Sequence, residues 1–247
     1  MSDWIWALII GFVLDLLLGD PAWLYHPVCL IGKYIGWMEK KLRRRGGNLR
    51  KSAVFLTAST VLLTVAVVAL ILMLCGLLGR IPLLIAMALL DWMGIAITSM
   101  AKEARGVEKA LGQGVTAGRT QVARIVGRDT QELSEEEIIK ATVETVSENT
   151  TDGVISPLLY AAIGGPILLW GFKAASTLDS MVGYLDEKYR DIGWSSARLD
   201  DVLNYIPARL TALLMVIASY LIGLDGKNAF RIVHRDHANH KSPNCAW

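Results

Sequence analysis

The sequence predicts an all-α, polytopic membrane bundle of about five membrane segments, one of them open to a re-entrant reading, with helical loops between them. Three observations predict it. Residues 52–79 run for 28 positions without a charged side chain, and their core, VFLTASTVLLTVAVVALILML, exceeds the roughly 20 apolar residues that cross a bilayer as a helix. A soluble protein seldom buries so long a helix that is apolar on every face. Hydrophobic residues make up 53% of the chain, and the mean hydropathy is +0.41. Eight Lys or Arg and one acid, Glu39, stand between Lys33 and Lys51, which marks the segment before the long apolar run as cytoplasmic. The net charge of +2 says little; its distribution orients the chain.

The first segment, 5–18, is short and holds Asp15, so it leans on Trp4, Trp6 and Trp23 at the interfaces. Asp3 stands where a signal peptide would carry its basic region, and no small-residue cleavage site follows, so a removed leader is not expected. Residues 52–79 and 81–100 form a tight hairpin of spans about Gly79-Arg80. Asp91 lies within the second, and a carboxylate at that depth should face the bundle or a polar cavity.

Residues 101–150 are polar and helical. Gly112-Gln-Gly114…Gly118 lacks the Lys-Ser/Thr ending of a phosphate loop and is expected to be a flexible loop. Ser134-Glu-Glu-Glu137 is a capping box that starts a helix, on which Ile139, Val143 and Val146 share a face opposite Glu137, Glu144 and Glu148. Segment 154–172 carries Gly164-Gly165-Pro166 at its middle. Pro removes a helix hydrogen bond and the glycines loosen the backbone, so a kinked span and a re-entrant hairpin are both open. Residues 208–224 are the last apolar segment. The whole, 1–247, is expected to be a single membrane-embedded domain, with 101–153 and 173–207 as polar loops. Cys29, Cys75 and Cys245 are too scattered for a disulfide framework or a zinc site.

Four polar clusters lie beside the membrane segments. They are Glu144…Glu148-Asn149…Asp152-Gly153, Lys173…Thr177-Leu-Asp179-Ser180, Arg198-Leu-Asp200-Asp201…Asn204…Arg209, and His234-Arg235-Asp236-His237…His240…Asn244. Glu144 and Glu148, four apart on a helix, are neighbours able to offer oxygen ligands to a divalent cation. A solvated helix face, an interfacial cap or an ion pair would explain each cluster alone. Residue chemistry reaches metal and phosphate handling at a membrane and stops short of a reaction.

The ordered set goes further. Gly-Asp20-Pro21 and His26-Pro27-Val28, Gly127-Arg128-Asp129-Thr130, Glu148-Asn149-Thr-Thr-Asp152-Gly153, Thr177-Leu-Asp179-Ser180-Met181, Arg198-Leu-Asp200-Asp201, Asn204-Tyr-Ile-Pro207-Ala-Arg209 and Arg235-Asp236…His240…Ser242-Pro243-Asn244 occur in sequence. Together they resemble the CbiB/CobD family, the adenosylcobinamide-phosphate synthases of cobalamin biosynthesis. Ser176, Ser147 and Ser156 depart from that pattern by small exchanges. The chain stops at Trp247 where family members continue, so it is expected to be a C-terminally truncated piece lacking a last span and part of the site.

The resemblance implies an ATP-dependent acid-amine ligase of the inner membrane of a bacterium or archaeon, with its site on the cytoplasmic side. It would join adenosylcobyric acid, a corrinoid, to (R)-1-aminopropan-2-yl phosphate or ethanolamine phosphate, using ATP and Mg²⁺. Partners implied are those substrates, membrane lipids and other cobalamin-assembly enzymes, with no nucleic acid. Candidate catalytic groups are Glu144, Glu148, Asp152, Asp179, Asp200 and Asp201, with Glu148, Asp200 and Asp201 as magnesium ligands. His26, Arg128, Asn149, Lys173, Arg198, Asn204, Arg209, Arg235, His240 and Asn244 would bind substrate, and His26, His237 or His240 would shuttle a proton. A single site needs 173–204 on the same side as Glu148, which favours the re-entrant hairpin. Two rival readings stand beside it. A non-enzymatic polytopic sensor of the same superfamily (AmpE-like) would have lost much of the motif set. A transporter would show an inverted repeat and more than Asp15 and Asp91 in its spans.

Overall fold

A computed structural model describes residues 2–21, 23–127, 129–184, 186–236 and 244. They form helices and connecting turns, with no strand among the described residues. The helices are α1 (Asp3–Leu18), α2 (Pro27–Arg45), α3 (Leu49–Leu77), α4 (Arg80–Gly94), α5 (Ile97–Leu111), α6 (Val115–Val122), α7 (Glu135–Thr150), α8 (Ser156–Val182), α9 (Trp194–Leu203), α10 (Tyr205–Leu221) and α11 (Gly226–Asp236). A π-helical turn, Thr151–Ile155, joins α7 to α8.

Three stretches, Leu49–Leu77, Arg80–Leu111 and Glu135–Val182, are long and apolar enough to cross a membrane. The pair α9–α10, bent by 50°, makes a fourth if it is taken as one span. The expected segment 5–18 is a helix of 16 residues, short for a crossing on its own. It runs parallel to the 15-residue α4. Arg80 clamps Asp3 at one end, at 2.7 and 3.0 Å, and Trp92 Nε1 donates to the Gly19 carbonyl at the other. The two axes approach so closely that a Cβ on Gly11 would stand 2.8 Å from the Trp92 nitrogen.

The expected span 81–100 is two helices. The chain leaves helical geometry at Ile95 and Ala96, and Asp15 of α1 caps the new start, its Oδ2 accepting from Ile97 N (3.1 Å) and Thr98 N (3.2 Å). A carboxylate on two exposed helix N–H groups offsets the break, which explains an acid at the end of an apolar helix. Asp91 is fully buried, as expected for a side chain facing the bundle. The basic segment 33–51 is mostly helix. Ile31, Ile35, Met38 and Leu42 fasten α2 to the core. The glycine stretch 112–118 is also more ordered than expected, with α6 starting at Val115.

On α7 the capping box is present as expected, but the buried face differs. Ile138 and Ala141 pack against Val107 and Val122, while Ile139 and Val143 are exposed. Helical spacing allowed either stripe; the position of α5 and α6 selects the one that is covered.

Helix α8 decides the topology. Gly164 and Gly165 have non-helical dihedrals, and the Tyr160 and Phe172 rings stack at 5.2 Å. A straight helix would hold residues twelve apart about 18 Å apart along its axis. The arms 156–163 and 166–182 therefore fold back on each other as a hairpin, the shape that the re-entrant reading requires, with its tip at Gly165 against Trp4. Such irregular backbone is tolerated at membrane depth because protein surrounds it; Gly165, Pro166, Leu169 and Trp170 are buried. In a chain whose three cysteines are replaced, single cysteines at Glu136 and Glu187 should react with an impermeant maleimide from the same side of a sealed vesicle. Labelling from opposite sides would refute the hairpin.

Candidate active site

The site forms where the π-helical turn meets the α9–α10 bend. A π turn shifts the register of the residues that follow it, and such turns are frequent at functional sites. Here Ala96 N donates to the Gly153 carbonyl, so α5 approaches closely, and a Cβ on Gly153 would lie 3.0 Å from Met100 Sδ. The turn carries Asp152 and delivers Ser156 to Asn204.

Asn204 is the hub. It closes α9, its N–H donating to the Asp200 carbonyl at 2.8 Å, and its buried side chain makes three bonds. Oδ1 accepts from Ser156 Oγ (2.7 Å), and Nδ2 donates to Asp152 Oδ1 (2.8 Å) and Asp200 Oδ2 (2.9 Å). One amide thus holds two carboxylates from segments 48 residues apart. Tyr160 ties the same junction by donating to the Leu203 carbonyl at 2.9 Å.

The other acids gather around this hub. Asp179 lies within electrostatic reach of Asp201 and Glu148, and Asp152 within reach of Glu148 and Asp179. With Arg198, Asp200 and Asp201 in ten residues, α9 lies outside the apolar segments. Burial pushes the Asp200 carboxyl up to about 8, and the charges of Asp152 and Asp179 push the same way. Five of the six expected catalytic acids are therefore brought together. The sixth is not: Glu144 lies on the outer face of α7, 3.9 Å from Lys140.

Cations frame the acids. Lys173, from the second arm of α8, is attracted by both Asp152 and Asp20. Arg198 stands 3.9 Å from Asp201. Arg209 lies over the Tyr205 ring at 3.5 Å and reaches Asn244 Oδ1 at 3.4 Å. Asn244 in turn donates to the Asp201 carbonyl at 2.8 Å. Simple alternation would carry the tail away from the site after 208–224, yet this bond brings Asn244 back to it. Asn149 is exposed in the last turn of α7, and Arg235 grips Asp236 on α11. Arg128, His237 and His240 lie outside the described residues.

His26 has a different role from the one expected. Its Nδ1 accepts from Val28 N at 3.2 Å, capping α2, and the ring is also hydrogen-bonded to the Met93 backbone. Both contacts are to main chain, which leaves no nitrogen to shuttle a proton. Burial holds the imidazole below its usual range, against the pull of Asp20.

Asp20 was not singled out for a role by sequence reasoning, although it follows an apolar helix and precedes Pro21. It accepts from Ser99 Oγ at 2.5 Å and faces Lys173. Ser156 looked like a small exchange; only the fold shows it against Asn204.

The expected magnesium trio Glu148, Asp200 and Asp201 is not gathered into a ligand set, and no group of three His, Cys, Asp or Glu among the described residues is placed to hold a metal ion. Adjacent residues on a helix point about 100° apart, so Asp201 turns to Arg198 while Asp200 turns to Asn204. A pair remains, Asp152 and Asp200, and Asp200 Oδ1 is buried without a partner among the described residues. Magnesium is commonly held by one or two carboxylates with water and substrate phosphates completing its shell. The pair and its unpartnered oxygen fit that mode.

The family model for CobD/Cbib protein matches residues 8–247. Similar chains include "Cobalamin biosynthesis protein CobD" of Pelobacter propionicus, 50% identical over 97% of this chain and 75% of that one. The Listeria monocytogenes protein of the same name is 48% identical over 96% of this chain and 76% of its own. "Cobalamin biosynthesis protein CbiB" of Salmonella arizonae is 44% identical over 96% and 76%. No solved structure matches. The chain belongs to the CobD/CbiB protein family.

Proposed function

We propose that this chain serves cobalamin biosynthesis as an amide-forming ligase, joining the free carboxylate of adenosylcobyric acid to (R)-1-aminopropan-2-yl phosphate or ethanolamine phosphate. The observation that carries the reading is the Asn204 hub, which clusters carboxylates beside Lys173 at the end of a re-entrant hairpin. The names of the relatives supply the pathway; the family resemblance supplies the reaction, and the acids and cations at the site are the residue types it needs.

A carboxylate resists attack by an amine until one oxygen becomes a leaving group. ATP provides this by transferring a phosphoryl or adenylyl group; the amine lone pair then forms the C–N bond, and the C–O bond to the phosphorus-bearing group breaks. Asp152 and Asp200 would hold a magnesium ion that neutralises phosphate charge. Lys173 and Arg198 would hold phosphate or corrin carboxylate oxygens, Arg with its bidentate fork. Asp179 and Glu148, which Asn204 does not engage, would take the proton that the amine loses. The basic residues 33–51 support a cytoplasmic placement of this end.

Complementation of a strain lacking cobinamide-phosphate synthase, grown on cobyric acid, tests the reading. The chain, or a form extended to the length of the relatives of which it covers 75–76%, should restore growth, and Asp200→Ala and Glu148→Ala in the active form should abolish it at unchanged membrane levels. Glu144→Ala should grow within about twofold of the parent, because an exposed pair of this kind contributes little. Normal growth of both Asp200→Ala and Glu148→Ala would remove the magnesium and phosphate reading. No growth with either form present in the membrane would favour the sensor.

A further inference from the structure

We propose that α2 and the first turn of α3 form a headgroup site for anionic phospholipids. Trp37, Lys40, Lys41, Arg44 and Arg45 recur at helical spacing, so they share one face of α2. At 100° per residue this face lies about 120° from the stripe Ile31, Ile35, Met38 and Leu42 that packs on the core. An amphipathic helix with a basic face and an aromatic edge lies in the plane of a membrane interface.

The depth of this face is set by α3. Asn48 caps that helix, Oδ1 accepting from Arg50 N (3.0 Å) and Lys51 N (3.2 Å). The next charge-free run begins at Ser52, and Val54 and Phe55 are already exposed apolar side chains. Lys51 therefore stands at the boundary between hydrocarbon and water, with the end of α2 beside it. Trp37 is 55% exposed with Lys41 Nζ at 4.8 Å from its ring centre, an aromatic anchor and a cation at one level.

The charge is unspent. The one acid of the segment, Glu39, pairs with Arg43 at 2.7 Å, and Arg50 pairs with Asp191. Among the described residues, no ion pair engages Lys40, Lys41, Arg44, Arg45 or Lys51. Five cations at headgroup depth attract an anionic leaflet. A lipid surface is favoured over a protein partner because the exposed apolar face of α3 continues directly from these residues.

The full chain, purified in mild detergent and equilibrated with equal amounts of phosphatidylglycerol and phosphatidylcholine, tests this by native mass spectrometry of retained lipid. Phosphatidylglycerol should be kept over phosphatidylcholine by about tenfold or more, given the contribution of each basic residue near an anionic surface. Lys40→Gln, Lys41→Gln, Arg44→Gln and Arg45→Gln together should bring the ratio to parity; the Lys-to-Arg and Arg-to-Lys exchanges at the same positions should keep it. Should the fourfold variant lose its helical circular dichroism, the two double variants give the same reading, each lowering the ratio. Equal retention of both lipids by the parent, or an unchanged preference in the Gln variants, overturns the proposal. Displacement of the lipid by inorganic phosphate alone would also overturn it, by marking a free-phosphate site.

Discussion

Asn204→Leu should abolish ligation and lower the thermal unfolding midpoint in detergent. Leucine fills the space of asparagine but leaves Ser156 Oγ, Asp152 Oδ1 and Asp200 Oδ2 without the partners they have at 2.7, 2.8 and 2.9 Å. Buried polar groups left unpaired cost about 1–3 kcal/mol each, and two carboxylates lose the amide that holds them side by side. A loss of about 3–5 kcal/mol follows if the three are not fully additive. Asn204→Asp separates the two effects. It keeps the shape and the acceptor for Ser156 but replaces two N–H donors by a further acid, so turnover should fall by about 100-fold or more, the scale of removing a group that orients the reacting constellation. Folded yield should fall less than in Asn204→Leu. Near-parental product formation by either variant would show that the hub is structural only.

Gly165→Val should prevent accumulation of the folded protein. Gly165 has φ 62° and ψ −159°, a region open in practice to glycine alone, where another residue costs about 1–3 kcal/mol. A side chain there also meets Trp4, whose Cβ lies 3.4 Å from the position a Cβ would take. Relief requires the hairpin tip to straighten, and straightening would carry Lys173 and Asp179 away from Asp152. Gly36→Ala is the control. It sits in α2 with nothing within 4 Å of an added Cβ, and Ala in a helix should be neutral or stabilising by about 0.5–1 kcal/mol. A Gly165→Val protein with the parental unfolding midpoint would refute the tight turn.

The apolar runs, the capping box and the broken segment at Gly164-Gly165-Pro166 were legible because they are local. Twenty-eight residues without charge leave one solvent in which to fold. Other features were ambiguous for a stated reason. Residues 81–100 look like one span because nothing near Ile95 announces a break; the break is stabilised by Asp15, 82 residues away from Ile97. Helix α7 offers two apolar stripes, and which one is buried depends on α5 and α6. His26 looked chemical because histidine titrates near neutrality, yet its ring is taken by main-chain groups of α2 and α4.

By itself the sequence determined the membrane class, the family, the basic boundary before α3 and the inventory of acids and cations at the site. These rest on composition, period and motif, which need no partner in space. Only the tertiary structure decided that α8 doubles back, that Asp152 and Asp200 share one amide, that Asp201 turns to Arg198 and Glu144 lies apart on the outer face of α7, and that Asp20 faces Lys173. Each of these depends on the angle at which two distant segments meet, and that angle is fixed by packing across the bundle rather than by any stretch of chain alone.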